Sequence, residues 1–324
     1  MTANRIPLVA LAAALGIALA GSAGCGDDDT AQDQPAPAAQ GADPETDKLA
    51  QIIARGTLVG YHEADYPPQS MDVKGATRPA GTKCAETELA ANQVTGFDNV
   101  TTKLVAKGLG VEACFATPTW TEVTAGNWGD RWDIAYGSGS INADRMQRLY
   151  MTQPYYAVPN YYFVAADSPA RHAADLDGKR IGACASCSHE AYLKGELEIP
   201  GIDISVNVDD PQLVTYETEA PGLAATANGK IDAFLAAEPV GRAQARRGVD
   251  LRRLPDVAFT YYPSGFVDKS SGLDSRAFVE KVNDIVRAAQ ADGTLQKLSR
   301  KFFGRDYVAA AAAYDIDAIG QEVV

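Results

Sequence analysis

Short apolar segments alternate with segments of helical periodicity along most of the chain. Brief apolar runs bounded by Gly, Pro or Asp are typical of buried strands, and we predict strands at 57–61, 111–116, 132–136, 161–165, 213–216 and 231–235. Apolar positions three or four residues apart predict helices at 47–54, 99–108, 188–193, 220–228 and 274–303. Asp98 is the predicted N-cap of the second of these helices. Strands alternating with helices indicate an α/β fold with parallel sheets.

The first apolar run, 6–20, follows the single positive charge of Arg5. It is shorter than the ~20 residues that a bilayer-spanning helix needs, and small residues separate it from Cys25, so we predict a signal peptide over 1–24. The segment resembles a bacterial lipoprotein signal, which implies acylation of Cys25; an ordinary cleaved signal is the alternative. Either interpretation places the folded part outside the cytoplasm.

The segment 25–47 is rich in Asp, Gln, Pro, Ala and Gly, and it has no aromatic residue and no periodic apolar face. Such a segment buries too little surface to offset its chain entropy, so it is predicted to be a disordered acidic tether. A tether of this kind holds a folded domain away from a membrane surface.

The net charge and the length of the chain restrict the possible classes of function and fold. The whole chain carries a formal net charge of −13 at pH 7, and no run of adjacent basic residues is longer than a pair such as Arg246-Arg247 or Arg252-Arg253. This argues against nucleic-acid binding. No second apolar run is long enough to cross a membrane. The residues after the tether are numerous enough to form two lobes, each with its own core.

Apart from Cys25, the chain contains Cys84, Cys114, Cys184 and Cys187. Four cysteines outside the cytoplasm suggest two disulfides, with three pairings open. We favour Cys84–Cys114 and Cys184–Cys187, because one pair then lies in each predicted lobe. The second pair is also a C-x-x-C between a strand and a helix, as in thiol oxidoreductases, although the rest of the chain does not follow that pattern.

The order of sequence motifs resembles that of the extracytoplasmic solute-binding proteins, family 3, which serve ABC importers of polar amino acids. The resemblance covers most of the chain from 49 to 306, and its joint order and spacing are more specific than any single piece. The matching pieces are Gly56-Thr57-Leu58-Val59-Gly60, Asp65-Tyr66-Pro67-Pro68, Gly96-Phe97-Asp98, Trp120 with Asp133, Asp144-Arg145, Pro154-Tyr155-Tyr156, Asp175-Leu176-Asp177-Gly178-Lys179 with Ile181-Gly182, and Gly229-Lys230-Ile231-Asp232-Ala233.

This resemblance implies two Rossmann-like α/β lobes joined by a two-strand hinge, the periplasmic-binding-protein type II architecture. Lobe 1 would comprise 48–157 and 262–324, and lobe 2 would comprise 158–261, with crossing strands near 157–161 and 258–262. A ligand in the cleft would promote closure about the hinge. The implied partners are an amino acid or related carboxylate, an ABC-transporter permease and, through the lipid anchor, a membrane. We expect a monomer with no cofactor.

The resemblance places the ligand's carboxylate at Arg145, whose guanidinium binds a carboxylate in bidentate fashion. Ser138 and Ser140 precede it in a small polar loop, and Ser188 begins a helix at the equivalent junction of lobe 2, with His189 beside it. Amide groups at such a helix start favour an anion. The alternatives are a surface arginine that opens a helix and serines that are solvated in turns.

Tyr66 lies where the family places an aromatic wall, and Trp120 is a second wall candidate; core packing is the alternative for both. Glu63 is on the same loop and would face a cationic side chain, unless it is solvated. The family's usual ammonium anchor is an Asp at the position of Ala237. Glu238 or Glu63 is therefore a candidate substitute, unless the ligand has no free ammonium.

Three other functions are considered. The same architecture hosts periplasmic dehydration of prephenate- or arogenate-like substrates, for which Glu238 or His189 would supply the acid. A metal site from His62, Glu63 and His189 is disfavoured, because the three residues lack close ligand spacing. A sensor role with a membrane partner has the same sequence signature as import.

Overall fold

Helices and strands alternate along the computed structural model, which describes residues 41–320. The strands are β1 (Thr57–Tyr61), β2 (Asp65–Tyr66), β3 (Ser70–Asp72), β4 (Leu89–Ala90), β5 (Val94–Thr95), β6 (Glu112–Ala116), β7 (Leu149–Met151), β8 (Val158–Ala165), β9 (Arg180–Cys184), β10 (Gln212–Tyr216), β11 (Ala233–Ala237), β12 (Leu251–Tyr261) and β13 (Phe266–Asp268). The α-helices are α1 (Lys48–Arg55), α2 (Phe97–Leu109), α3 (Trp120–Ala125), α4 (Ala143–Met146), α5 (Ser188–Leu193), α6 (Glu219–Ala227), α7 (Glu238–Arg246), α8 (Arg276–Ala291), α9 (Thr294–Phe303) and α10 (Ala309–Ala312). The predicted α/β class is confirmed.

In lobe 1, β6 is the central strand of a three-stranded sheet, with β1 parallel to it on one side and β4 antiparallel to it on the other. The predicted strand at 132–136 is not a regular strand in this lobe. It forms only isolated bridges, from Ile134 to Gly60 and from Ala135 to Phe266. Each bridge reaches a different partner, so the segment crosses between β1 and β13 without forming a ladder with either.

Lobe 2 contains a five-stranded sheet in the order β10-β9-β11-β8-β12. Strands β9, β10 and β11 run parallel, whereas β8 and β12 are antiparallel to their neighbours. The predicted crossing segments lie in β8 and β12, where Val158 is opposite Tyr261 and Asn160 is opposite Phe259. All five strands fall within 158–261, and the lobe limits themselves stay a prediction.

Two predicted helical features differ from the structure. The helix predicted over 274–303 is two helices, α8 and α9, because Gly293 adopts a left-handed conformation with φ +79° between them. Asp98 is not the N-cap of α2, since the helix begins earlier and Gly96 occupies that position with φ +109°. A Cβ at Gly96 would lie 2.1 Å from the Gln69 carbonyl oxygen, so only glycine fits there.

Because α2 starts early, Phe97 points into an aromatic cluster at the base of lobe 1. Its ring stacks on Tyr155 with 5.5 Å between centroids, and it meets Tyr156 and Phe303 edge-on at 5.2 and 4.9 Å. These rings are buried, and aromatic contacts of this geometry add to the energy of burial. The cluster therefore fixes the segment that carries the adjacent polar residues of the cleft.

Both favoured disulfides are present. Cys84 is bonded to Cys114 on β6, and Cys184 at the end of β9 is bonded to Cys187. The first ties the irregular segment between β3 and β5 to the lobe 1 sheet, and the second ties the end of a strand to the start of α5. The predicted signal peptide and Cys25 lie outside the described residues, as does most of the tether.

No helix within 41–320 combines the length and the apolar character that a bilayer crossing requires. In this part of the chain, the structure agrees with the absence of a second long apolar run in the sequence.

Replacing both Cys84 and Cys114 with serine should lower the free energy of unfolding by about 2–4 kcal/mol, because the bond closes a loop with a sequence separation of 30. Urea unfolding followed by circular dichroism measures the loss. The matched control is the double serine variant of Cys184 and Cys187, whose separation is only 3, and it should lose less. Equal losses would contradict the loop-length explanation.

Candidate ligand-binding site

A cavity lies in the cleft, and both lobes contribute to its lining. Its lining residues are Glu63, Tyr66, Trp120, Gly137, Ser138, Gly139, Ser140, Arg145, Cys184, Cys187, Ser188, Glu217, Thr218, Glu219 and Tyr261. Seven of the nine predicted ligand contacts are in this set. His189 and Glu238 are not.

Arg145 is the main cation of the cavity, and its side chain reaches both lobes. It lies on the short helix α4, whose N-cap Asn142 accepts a hydrogen bond from the Arg145 amide. One guanidinium nitrogen, Nη1, donates to the Ser140 carbonyl oxygen at 2.9 Å, and Nη2 donates to the Ser186 carbonyl oxygen at 2.8 Å. Ser188 Oγ is 3.5 Å from Nη1. The guanidinium therefore links Ser140 in lobe 1 to the β9–α5 loop in lobe 2.

Two aromatic rings hold this guanidinium from the sides. Its central carbon lies 5.4 Å from the ring centroid of Trp120 and 5.5 Å from that of Phe266. A cation at this distance from an aromatic face is attracted to it. Gly139 permits the packing, since a Cβ there would lie 2.3 Å from the Phe266 ring and 2.6 Å from that of Trp120.

Arg145 is only 3 % exposed. Burial lowers the pKa of its guanidinium to about 10, so the group stays charged at neutral pH. Within residues 41–320, no carboxylate lies at ion-pair distance from it, and its protein partners are carbonyl and hydroxyl oxygens. A buried charge without a counter-charge is costly. The site therefore favours an anionic group beside Arg145.

Ser138 lines the cavity, but its hydroxyl is engaged in the protein. The Oγ donates to Asp98 Oδ2 at 2.7 Å and accepts from the Tyr156 hydroxyl at 2.6 Å. Its backbone has φ +56°, and its amide donates to the Tyr155 oxygen. Asp98 also accepts from Tyr155, and its burial raises its pKa to about 7. This network fixes the floor of the cavity.

Ser140 and Ser188 are buried at the cavity wall. Ser140 Oγ accepts a hydrogen bond from the Tyr262 amide at 3.2 Å, and Ser188 is the first residue of α5 with its Oγ near Arg145. Tyr66, Trp120 and Glu63 are half-buried in the lining. These five residues lie where a ligand would meet them, and their roles as ligand contacts stay predictions.

His189 is buried behind the wall. Its Nε2 is 2.8 Å from Asn160 Oδ1, and the amide nitrogen of Asn160 donates to backbone carbonyls, so Nε2 carries the proton. Burial and the charge of Arg145 lower the pKa of His189 to about 3. The imidazole is thus neutral and cannot act as an acid at neutral pH.

Glu238 lies away from the cavity, at the start of α7. It accepts a hydrogen bond from the Tyr307 hydroxyl at 2.8 Å and lies 3.2 Å from Arg305 and 3.4 Å from Arg253. Arg305 and Arg253 already supply positive charge to this buried carboxylate, and Glu238 is not among the residues that line the cavity.

Glu219, which was not predicted, is the most informative acid of the cavity. It is 3 % exposed, and neither of its carboxylate oxygens has a hydrogen bond of normal geometry. As the first residue of α6, it has in sequence the appearance of an ordinary acid in the first turn of a helix. The sequence signal that could have identified Glu219 is its position at the start of the helix after β10, which corresponds to the position of Ser188 at the start of the helix after β9.

Burial raises the pKa of Glu219 to about 8, and the negative charge of Glu63 acts in the same direction. The Tyr66 hydroxyl and the Ala237 amide lower it, but they do not offset the burial. His189 Nδ1 is 3.7 Å away and uncharged. Glu219 therefore holds its proton at neutral pH unless a cation is placed beside it.

The family of bacterial extracellular solute-binding proteins, family 3, matches residues 83–305. The chain belongs to this family. It is 27% identical over 260 residues to the L-cystine-binding protein TcyJ of Escherichia coli K12, covering 80% of this chain and 86% of that protein. It is 24% identical over 218 residues to the ABC transporter arginine-binding protein 1 of the same organism, covering 66% of this chain and 84% of that protein.

Solved structures share the fold of this family member. The crystal structure of Tv2483 bound to L-arginine matches with a TM-score of 0.67 and 16% identity, covering 83% of this chain and 100% of that one. The ancestral amino-acid-binding protein AncCDT-1, a precursor of cyclohexadienyl dehydratase, matches with a TM-score of 0.62 and 23% identity, covering 79% and 99%. The two-lobe type II architecture is confirmed.

The raised pKa of Glu219 predicts a pH-dependent stability. The folded carboxyl keeps its proton up to about pH 8, whereas an unfolded glutamate loses it near its ordinary value of 4.5. The contribution of Glu219 to the free energy of unfolding is therefore fully present below pH 4.5, and it is lost progressively as the pH rises from 4.5 to about 8. Glu63, Tyr66, Tyr261 and His189 face or influence the carboxyl, and none supplies a positive charge.

Glu219→Gln should therefore gain stability relative to the wild type between pH 5 and pH 8.5. We expect a gain above about 1.4 kcal/mol, the equivalent of one pKa unit, from urea unfolding at both pH values without ligand. Glu280→Gln, at an exposed position on α8, is the control and should track the wild type. A constant difference between Glu219→Gln and wild type would show that Glu219 titrates normally.

Proposed function

We propose that this protein binds an α-amino acid outside the cytoplasm and delivers it to an ABC importer. The single observation that carries the proposal is the buried guanidinium of Arg145, which lines the cavity, contacts both lobes and has no carboxylate partner among the described residues. Membership of the family supports it. So do the relatives, which are named for binding cystine and arginine.

The ligand's carboxylate would accept two parallel hydrogen bonds from Arg145, supplying the counter-charge that the site lacks. Because the guanidinium also contacts Ser140 in lobe 1 and Ser186 in lobe 2, a ligand at this point stabilises the arrangement in which the lobes are close. A ligand that touches both lobes shifts the population toward the closed form. Tyr66 and Trp120 would form the walls.

Acylated Cys25 would anchor the protein to the membrane, and the acidic segment 25–47 would act as a tether between the anchor and the lobes. The protein would work as a monomer, with the permease of the importer as its partner. A sensor role would use the same ligand and the same closure with a different membrane partner.

A thermal-shift screen of the purified protein against amino acids, betaines and dicarboxylates tests the ligand class, since a ligand that binds the folded state raises the apparent melting temperature. We expect α-amino acids to give the largest shifts. Shifts from dicarboxylates or betaines alone would contradict the proposal.

Arg145→Ala should weaken binding of the best ligand about tenfold or more, because a charge-assisted hydrogen-bonded pair is worth ~1.5–3 kcal/mol. Isothermal titration calorimetry measures the change. Arg148→Ala is the matched control, since Arg148 is exposed on the same segment and pairs with Asp144, and it should bind like the wild type. Unchanged affinity in Arg145→Ala would remove Arg145 from the ligand site.

A dehydratase is the second candidate, and the protonated carboxyl of Glu219 is the observation that favours it. Its pKa of about 8 makes it a neutral acid at physiological pH within the same cavity as Arg145. Such a group can protonate a departing hydroxyl. His189 and Glu238, the acids expected from the sequence, are respectively neutral and outside the cavity.

Incubation of the protein with prephenate or arogenate, with chromatographic detection of the aromatic product, tests this candidate. Turnover that is lost in Glu219→Gln would establish catalysis. Recovery of both substrates unchanged would exclude this reaction.

A further inference from the structure

We propose that Glu219 accepts the ligand's α-ammonium in place of the acid that position 237 lacks, and that Glu63 accepts a second cationic group. The protein would then select amino acids with two cationic nitrogens, such as arginine or lysine, over neutral amino acids. This inference rests on the proposed amino-acid function and narrows its ligand class.

The place of Glu219 in the fold supports the substitution. Ala237 ends β11, where the resembling family carries an aspartate, and its methyl group can accept no hydrogen bond. The Ala237 amide is nevertheless close enough to Glu219 to affect its titration. The carboxylate of Glu219 therefore lies beside the strand end where the missing acid would be, although it is supplied by a different helix.

Glu219 is also the right kind of group for a ligand cation. It is 3 % exposed, lines the cavity and has no hydrogen bond of normal geometry to either oxygen. Its nearest basic neighbour, His189, has its proton on Nε2 toward Asn160, so the nitrogen that faces Glu219 at 3.7 Å carries a lone pair. The Tyr66 hydroxyl and the Ala237 amide do not offset the cost of burying its negative charge, and a buried charge without a counter-charge is costly. A ligand ammonium would remove that cost.

Glu63 is a second acid on the lobe 1 side of the same cavity. Its Oε2 accepts a hydrogen bond from the Tyr61 hydroxyl at 3.1 Å. In the part of the chain from 41 to 320, neither Glu63 nor Glu219 has a lysine or arginine at ion-pair distance. The negative charge of Glu63 disfavours ionisation of Glu219.

Charge balance then selects the ligand. The cavity lining offers one buried cation, Arg145, and three acids, Glu63, Glu217 and Glu219. Glu217 is exposed to solvent, so Glu219 and Glu63 are the two acids that need a counter-charge from the ligand. A ligand with one carboxylate and two cationic nitrogens gives every one of these groups a counter-charge. A neutral amino acid leaves one acid without a partner, and that acid must then be buried unpaired or protonated. Tyr66, which also lines the cavity, adds an aromatic face suited to a cation.

Calorimetric titration of the full protein compares L-arginine and L-lysine with L-glutamine and L-methionine, which have similar length and one cationic nitrogen. We expect the first pair to bind at least about tenfold more tightly. Glu219→Gln should weaken binding of all four, and Glu63→Gln should weaken only the first pair. Glu280→Gln, exposed on α8, keeps the wild-type affinities.

Nα-acetyl-L-arginine tests the wild-type protein directly, because it keeps the carboxylate and the guanidinium but has no α-ammonium. It should bind at least about tenfold more weakly than L-arginine, and this result does not depend on any variant folding. Equal binding of the two compounds overturns the role of Glu219.

Two further outcomes separate this inference from the proposed function. Tighter or equal binding of the neutral amino acids, still dependent on Arg145, overturns the inference and leaves amino-acid binding in place. Failure of every amino acid to bind overturns both.

Discussion

The cleft is organised around the guanidinium of Arg145, which is buried and has no carboxylate at ion-pair distance among residues 41–320. Arg145 is held by aromatic rings on its sides and by carbonyl oxygens from both lobes. None of these groups neutralises its charge, so the low-dielectric cleft carries a positive field around Arg145. The loop glycine Gly139, the N-cap Asn142 and the short helix α4 all serve to bring this one side chain to that place.

The lining of the same cavity also carries two acids from different lobes, Glu219 and Glu63, that have no lysine or arginine at ion-pair distance among the described residues. Burial makes both carboxyls reluctant to ionise. The cavity thus combines a fixed cation with acids whose charge depends on what lies beside them. A zwitterion matches these charges in only one orientation, with its carboxylate toward Arg145 and its ammonium toward an acid. The site would therefore fix the orientation of its ligand as well as bind it.

The sequence alone predicted the α/β alternation and the disulfide pairs, because strand periodicity, punctuating glycines and cysteine positions are local signals. Its resemblance also pointed to Arg145 and Tyr66, which the structure brings into the cavity. Prediction from sequence was wrong where contacts between distant parts of the chain determine the local structure. Gly293 looked tolerable inside a helix but ends it, Glu238 turned toward arginines, and Glu219 has the local appearance of a helix-start acid.

The contacts of Glu238 have a consequence for the end of the chain. Arg305 and Tyr307 follow α9, and both bind this carboxylate at the start of α7, a helix of the other lobe. Residues 305–307, in predicted lobe 1, are therefore held against α7, which lies in predicted lobe 2. If one lobe rotates relative to the other, the contact of Glu238 with Arg305 and Tyr307 must move with both lobes or break. A fluorescent label placed near Arg305 would then report that rotation.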